Sequence, residues 1–172
     1  SIDHARRKIV HFNITEHPTS QWVKQQFREA IPCDTKKKYL IFDRDKIFSL
    51  EIRTFIKEIL NIQPKVISFR SPWQNGVAER FVFSVKSEIL NNVVIFHEEH
   101  LRKLMREYVD YYNNERCHLS VKRDSPNGRQ IQNKPSESTK IISFPRLGGL
   151  HHVYDWEKAA WSVFNNNLKV IF

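Results

Sequence analysis

The sequence is poor in cysteine and has no long apolar run, and both absences exclude classes of protein. Cys33 and Cys117 are its two cysteines, too few for a disulfide framework, and neither stands at the Cys or His spacing typical of a zinc site. No stretch approaches the roughly 20 uncharged apolar residues that cross a membrane. Residues 1–10 carry charges where a signal peptide would be apolar. We therefore expect no structural zinc, no signal peptide, no membrane partner and a reducing cytoplasmic location.

The balance of charge favours an anionic partner. Lys and Arg number 28 against 19 Asp and Glu, which gives a net charge of +9 over 172 residues. Such an excess is the usual electrostatic footprint of a nucleic-acid-binding protein, although many basic proteins bind nothing anionic. Apolar residues make up 40% of the chain, which is enough for one domain with a hydrophobic core and a small appendage.

Apolar periodicity predicts alternating strands and helices. The expected order is strand, helix, strand, helix, strand, helix, helix, which is typical of a layered α/β domain. Pro32 and Pro64 are expected to end the first two helices. The strands are predicted at about 8–15, 39–42 and 65–69, and the last two helices at about 77–92 and 98–114.

The composition changes towards the C-terminal third. Residues 116–146 contain seven Lys or Arg against two Asp or Glu, together with three prolines. We interpret this stretch as a basic linker after a core at 1–115. The last segment, 147–172, has short apolar runs around Tyr154, at 159–164 and at 168–172 that predict a small β-rich tail.

Two acidic residues stand at positions where chemistry is common. Asp43 follows the apolar strand 39–42, and ligand-binding groups collect at the carboxyl ends of such strands. Glu79 lies in the first turn of the helix that follows Asn75-Gly76. Singly, each has an ordinary interpretation, as a loop cap or as a charge favoured by the helix dipole. Together, carboxylates at one sheet edge are what a pair of magnesium ions needs.

Three motifs around these acids resemble one family. Thirty-five residues separate Asp43 from Glu79, similar to the D,D,35,E signature of retroviral integrases and insertion-sequence transposases. Residues 43–49 read D-R-D-K-I-F-S and resemble its D-x-G-x-x-F segment. Residues 71–80 read S-P-W-Q-N-G-V-A-E-R and resemble S-P-x-x-N-G-x-x-E-R. Residues 111–118 read Y-Y-N-N-E-R-C-H and resemble Y-N-x-x-R-P-H, with cysteine in place of proline.

The resemblance covers about residues 1–130. It implies a ribonuclease-H-like fold, with a mixed sheet flanked by helices, and polynucleotidyl transfer supported by Mg²⁺ or Mn²⁺. Asp43 becomes the second catalytic and metal-binding acid and Glu79 the third. Asp45 is the rival of Asp43, but the family spacing then falls to 33 intervening residues.

The family's first acid is not evident in this chain. Residues 2–10 match the strand that follows the acid-bearing one, so we expect the first acid to lie upstream of Ser1. Asp3 is the alternative candidate and ranks lower. A chain with two of the three acids is expected to bind at least one metal ion more weakly.

The resemblance also implies DNA contacts near the acids. Predicted DNA-binding residues lie in the loop before the helix predicted at about 77–92 and along that helix: Arg70, Trp73, Gln74, Arg80 and Lys86. Lys86 could equally be a solvated lysine, and Trp73 could instead be buried. Residues 116–146 are either a surface that contacts phosphates or a solvated loop. Arg116 and His118 are expected to complete packing, and His151-His152 lacks the acid or cysteine neighbours of a metal site.

Three functions remain open from the sequence. The first is the catalytic core of a bacterial DNA transposase or integrase that acts as a homo-oligomer on transposon ends and target DNA, in the nucleoid, with no small-molecule substrate. The second is a catalytically inactive DNA-binding remnant of such an enzyme. A ribonuclease or exonuclease of the same fold is less favoured, because residues 71–80 resemble transposase cores in particular.

Overall fold

The computed structural model describes residues 1–33 and 35–157, as a mixed α/β protein with helices and small sheets. The chain forms two compact units, the first ending at Arg102 and the second beginning at Lys103. The helices are α1 (Ser20–Ala30), α2 (Leu50–Glu58), α3 (Gly76–Val85) and α4 (Glu98–Asn114), and the strands are β1 (Tyr39–Phe42), β2 (Gln63–Val66), β3 (Ile141–Arg146) and β4 (His151–Trp156).

The first unit is built around a β1–α2–β2 crossover. Strands β1 and β2 are parallel, with Tyr39 opposite Gln63 and Phe42 opposite Val66. The core lies against one face of this pair. Its buried members come from both helices, from β1 and from the residue that precedes β2, namely Val23, Phe42, Ile52, Phe55, Ile56 and Ile62. Full burial of each such side chain contributes about 1.5–3 kcal/mol to folding, so this cluster fixes the strand ends that position Asp43.

Local sequence explains where α1 starts and stops. The Thr19 side chain accepts a hydrogen bond from the Trp22 backbone N–H at 3.2 Å, which is the usual N-cap arrangement. The helix ends at Ala30, two residues before Pro32. Its buried residues, Val23 and Ala30, stand seven positions apart and therefore share one face.

The predicted strand at 8–15 is wrong as a regular strand. Ile9 forms only an isolated antiparallel bridge with Ile2, because the chain folds back tightly through Arg7, whose φ is +63°. Beyond this turn the Val10 N–H donates to the Ser1 carbonyl at 3.0 Å and the Ser1 amino group donates to the His11 carbonyl at 2.7 Å, and the following residues are held by side chains. Asn13 Nδ2 donates to Gln26 Oε1 at 2.7 Å and Arg102 Nη1 donates to Asn13 Oδ1 at 2.6 Å.

Other predicted elements occur with shifted ends. The strand expected at 65–69 is found at Gln63–Val66, and the Ile67 N–H makes a further bond to the Phe42 carbonyl of β1 at 3.1 Å. The helix expected at 77–92 is α-helical over Gly76–Val85 and continues as a π-helical turn over Lys86–Leu90. The helix predicted at 98–114 is confirmed with both bounds.

The second unit contains an antiparallel pair, with β3 running from Ile141 opposite Trp156 to Arg146 opposite His151. Strand β3 lies inside the stretch that the sequence suggests is a linker. Glu115 accepts two hydrogen bonds from the Arg146 guanidinium, at 2.9 and 2.6 Å, which tie β3 to the end of α4. Strand β4 lies within the predicted β-rich tail, whereas the apolar runs at 159–164 and 168–172 lie outside the described residues. The division into 1–115, 116–146 and 147–172 stays a prediction.

Over residues 1–33 and 35–157, no helix combines the length and apolar character that crossing a membrane requires.

Candidate functional site

Asp43 lies where β1 ends. The Ile67 N–H donates to the Phe42 carbonyl at 3.1 Å, so the carboxyl ends of β1 and β2 are joined directly before Asp43. Its exposed side chain accepts a hydrogen bond from the Asp45 N–H at 3.1 Å, and the Asp45 side chain accepts one from Ile47 at 2.9 Å. Both acids therefore organise the turn after β1, and only Asp43 adjoins the strand.

The loop after β2 is compact. The buried Ser71 donates its N–H to the Ser68 carbonyl at 3.3 Å and its hydroxyl to the Phe69 carbonyl at 3.2 Å. The Gln74 carboxamide accepts from the Ser68 N–H at 2.7 Å and donates to the Ser68 hydroxyl at 3.3 Å. Arg70 adopts a left-handed conformation with φ of +54°. Local contacts thus define this loop.

Trp73 lies on the surface of this loop. Its side chain is 72% exposed, which excludes the buried interpretation and leaves the indole available for a ligand. Arg70 is exposed as well, and its guanidinium lies 5.2 Å from the centre of the Phe69 ring. The loop therefore presents an aromatic ring and a cation to solvent.

Glu79 and Arg80 are exposed in the N-terminal half of α3, which starts at Gly76 immediately after the Pro72–Asn75 turn. An acid in the first helical turn is favoured by the backbone dipole. The Arg80 guanidinium lies 5.4 Å from the Phe83 ring centre. Lys86 is exposed where the α-helix passes into the π-helical turn, so α3 and this turn together present one acid and two cations to solvent.

Residues 60–126 match the family model described as an integrase core domain. This segment is therefore similar to an integrase core. The resemblance to integrases and transposases is confirmed over these residues, which include β2, the 68–75 loop, α3 and α4. Asp43 lies outside the matched range, and its assignment rests on the D-R-D-K-I-F-S motif. The chain matches no curated protein and no solved structure.

The two candidate acids, Asp43 and Glu79, carry the type of oxygen ligand that a hard cation binds. Carboxylate oxygens are the ligands that Mg²⁺ prefers, and Mg²⁺ commonly binds through one or two protein carboxylates with water and substrate phosphate as the other ligands. Asp43 and Glu79 supply two such groups. Within residues 1–33 and 35–157 no group of three or more His, Cys, Asp or Glu is placed to hold a metal ion. In chemical type, two such carboxylates fit a magnesium ion that keeps water ligands.

Asp3 has contacts of a structural kind. Its Oδ1 accepts hydrogen bonds from the backbone of Ala5 at 2.8 Å and Arg6 at 3.0 Å, and Lys37 forms an ion pair with its other oxygen. The Asp3 side chain is 12% exposed. These contacts cap a turn, in agreement with its low rank as a catalytic acid.

The family motif at 111–118 serves packing in the second unit. The His118 ring meets Tyr112 edge-on with centres 4.5 Å apart, and the Arg116 guanidinium lies 5.4 Å from the centre of the same tyrosine ring. His151 stacks on Tyr111 with ring centres 4.8 Å apart. These aromatic contacts agree with the packing role expected for Arg116 and His118.

Sequence reasoning missed the cluster around Asp124 and Arg129. Asp124 accepts from the backbone N–H groups of Ser125 at 2.7 Å and Arg129 at 3.0 Å, and the Arg129 side chain also reaches its carboxylate. The Ser125 hydrogen bond, followed by those from Arg129, lowers the pKa of Asp124 below its usual value. Asp-Ser-Pro-Asn is a turn signature that could have revealed this cap.

Proposed function

We propose that this chain acts in DNA integration or transposition, by metal-dependent phosphodiester strand transfer, with Asp43 and Glu79 as its catalytic and metal-binding acids. The observation that carries the proposal is the position of Glu79. It lies in the first turn of α3, directly after the compact S-P-W-Q-N-G loop, inside the segment that matches the integrase core domain.

The parallel β1–α2–β2 unit supports a ribonuclease-H-like fold. Its helices α1 and α2 share one core with β1, and an acid follows the carboxyl end of β1. Ligand sites of open α/β sheets lie at that edge. We place this unit within a larger mixed sheet flanked by helices.

Asp43 and Glu79 would hold Mg²⁺ or Mn²⁺ in this reaction. When bound, the metal activates a water or a DNA 3′-hydroxyl and stabilises the leaving oxygen. The chain's own cations have a separate task, which is to position the phosphates. Arg80 and Lys86 lie on the same helix as Glu79, and Arg70 lies in the loop before it. Charge neutralisation of this kind gives affinity without reading sequence.

DNA, both as transposon ends and as target, is the partner that this function requires, and we propose a homo-oligomer on DNA. The net charge of +9 supports an anionic partner. A bacterial cytoplasm, with the protein on the nucleoid, is the matching location. A small-molecule substrate has no part in this proposal.

A second candidate is the catalytically inactive DNA-binding remnant. It is favoured by the observation that, in the part of the chain that the structure describes, two candidate acids are present without a third metal ligand beside them. Asp3 is committed to a turn and to Lys37. The two candidates share a DNA-binding surface and differ in turnover.

The deciding experiment measures nicking and strand transfer on labelled duplex DNA with Mg²⁺ or Mn²⁺. We expect Glu79→Gln to abolish both reactions while DNA affinity is kept, because the substitution removes a metal ligand and not a phosphate contact. Glu58→Gln, another exposed helical glutamate, is the matched control and should keep activity. Salt-dependent DNA binding without turnover in the wild-type chain would support the remnant, and no DNA binding at all would contradict both.

A further inference from the structure

The outer face of the β1–β2 pair carries a cavity that the acids do not use. Because successive side chains of a strand point to opposite faces, Tyr39 and Ile41 lie on the face opposite to Leu40 and Phe42, which pack into the core. The cavity has a volume of about 290 Å³. It is lined by residues of both strands, by the first residue after β2 and by the loop, namely Tyr39, Ile41, Lys65, Val66, Ile67 and Gln74.

The chemistry of this cavity combines an aromatic ring with a cation. Tyr39 is 60% exposed, and the Lys65 Nζ lies 5.5 Å from its ring centre. None of the six lining residues is acidic. Lys36 and Lys38, which directly precede β1, are exposed and add positive charge at the entrance to the strand. An anionic ligand with a flat apolar part matches this surface.

The 68–75 loop repeats the same chemistry beside the cavity. Arg70 lies against Phe69, which is 69% exposed, and Trp73 is 72% exposed next to Gln74. Proteins that bind single-stranded nucleic acid use this combination, with aromatic rings that stack on bases and cations that follow the phosphates. The surface from Tyr39 to Trp73 thus offers several such elements in one unit.

Gln74 gives the cavity a polar edge. Its carboxamide uses one N–H and one oxygen lone pair in the bonds to Ser68, and a carboxamide has two of each. The remaining pair can meet the edge of a base, since Gln commonly pairs with such edges. The bonds to Ser68 hold the amide in place before any ligand arrives, which reduces the entropy lost on binding.

We propose that this cavity, the Tyr39–Gln74 pocket, binds an unstacked base of single-stranded DNA, with Tyr39 stacking on the base and Lys65 meeting a phosphate. The volume lies at the lower end of the range of about 300–1,000 Å³ for small-molecule sites, which suits one planar base. The one cation of the lining, Lys65, together with the exposed Lys36 and Lys38 before β1, favours DNA over an apolar protein segment. The inference rests on the proposed function only in taking DNA as the partner.

The test measures the affinity of the whole chain for a labelled single strand and for the corresponding duplex, by fluorescence anisotropy in EDTA. EDTA separates binding from any metal-dependent reaction. We expect Tyr39→Ala to weaken single-strand binding about five- to a hundred-fold, the loss typical of one stacked base, and to change duplex binding less than about two-fold. Tyr39→Phe should keep single-strand affinity, because the stacking ring remains.

Matched controls come from the same chain. Tyr154 in β4 is 69% exposed, and Tyr154→Ala should leave single-strand affinity unchanged. Lys65→Gln should lower the salt dependence of binding by about 0.7 in the logarithmic slope, the value for one phosphate contact on a single strand. Lys57 is an exposed lysine on α2, and Lys57→Gln should lower this logarithmic slope less than Lys65→Gln does. Circular dichroism and melting curves verify that each variant is folded.

Each other outcome has a defined meaning. If Tyr39→Ala keeps single-strand affinity while duplex DNA still binds, the pocket proposal fails and the proposed function stands. If neither form of DNA binds the wild-type chain, both proposals fail. If Tyr39→Ala changes the sedimentation coefficient and not DNA affinity, the face is an interface between copies of the chain, and the pocket proposal is overturned.

Discussion

The side chain of Gln74 closes a ring with Ser68 across the loop that precedes α3. The carboxamide oxygen accepts from the Ser68 N–H at 2.7 Å, and the amide nitrogen donates to the Ser68 hydroxyl at 3.3 Å. A residue expected from the sequence to touch DNA thus also determines the course of the loop.

We expect Gln74→Ala to loosen this loop at small cost to the whole fold. Both ends of the bond are exposed, so the loss of unfolding free energy should be about 0.5–1.5 kcal/mol. Faster hydrogen exchange at the Ser68 amide is the local measurement. Gln25→Ala is the control, because that exposed glutamine bonds only within α1, to Glu29 at 3.0 Å. Unchanged protection at Ser68 would contradict the role assigned to Gln74.

Helix α2 offers a matched pair of isoleucines for the core. Ile56 is 0% exposed and Ile59 is 66% exposed. Ile56→Ala should lower the free energy of unfolding by about 2–5 kcal/mol, because it removes buried methyl groups and leaves a cavity. Ile59→Ala should change it by less than about 0.5 kcal/mol. Urea unfolding followed by circular dichroism measures both, and equal losses would contradict the assigned core.

The elements that the sequence predicted well carry their signal locally. Four apolar residues between Lys38 and Asp43 define β1, and regular apolar spacing with two glutamates at its start defines α4. The segment 8–15 has a β propensity similar to that of β1. Over the described residues, however, it has no neighbouring strand with which to form a ladder. A strand depends on a partner distant in sequence, whereas a helix satisfies its own backbone.

Strand β3 was not predicted, because its local sequence indicates a loop although a partner strand is present. Pro145 and the polar residues before it indicate a loop, but β3 pairs on one side with β4, and a proline is tolerated on such an edge strand. In the candidate site, the first-turn position of Glu79 followed from Asn75-Gly76. The Gln74–Ser68 bond could not be predicted, because it depends on the left-handed backbone at Arg70.

The ion pair between Glu115 and Arg146 should stabilise the second unit modestly. The pKa of Arg146 is raised, first by the hydrogen bonds from its guanidinium to Glu115. Because the Arg146 side chain is 39% exposed, solvent screens the pair, and we expect a coupling of about 0.5–1 kcal/mol from a double-mutant cycle of Glu115→Gln and Arg146→Gln. The coupling should shrink in 1 M salt. A zero coupling at low salt would contradict the prediction.

Asp124 should make the local stability of its turn depend on acid pH. Its pKa is lower in the folded chain, first through the Ser125 N–H, so its contribution is present above the unfolded pKa of about 3.9. The contribution is lost as pH falls through the lower folded pKa. Hydrogen exchange at the Arg129 amide, compared at pH 3 and pH 6 after correction for intrinsic rates, should show this loss. Asp124→Asn should flatten the pH dependence, and an unchanged profile would contradict the assignment.

The choice between Asp43 and Asp45 can be tested because asparagine preserves the turn at both positions. Each carboxylate accepts one backbone hydrogen bond, from Asp45 or from Ile47, and an asparagine oxygen can accept the same bond. Only the charge is removed. We expect Asp43→Asn to weaken Mn²⁺ binding in the presence of duplex DNA by at least about ten-fold, because a direct ligand is lost.

Asp45→Asn should change Mn²⁺ affinity less than about three-fold, since Asp45 lies two residues beyond Asp43 and its side chain accepts a hydrogen bond within the turn. Electron paramagnetic resonance of Mn²⁺ measures both affinities without requiring turnover, so the comparison also applies to an inactive remnant. The reverse ranking would move the metal ligand to Asp45 and shorten the spacing to Glu79. Equal losses would mean that both carboxylates bind the ion, and the assignment of Asp43 as the sole ligand of this turn would fail.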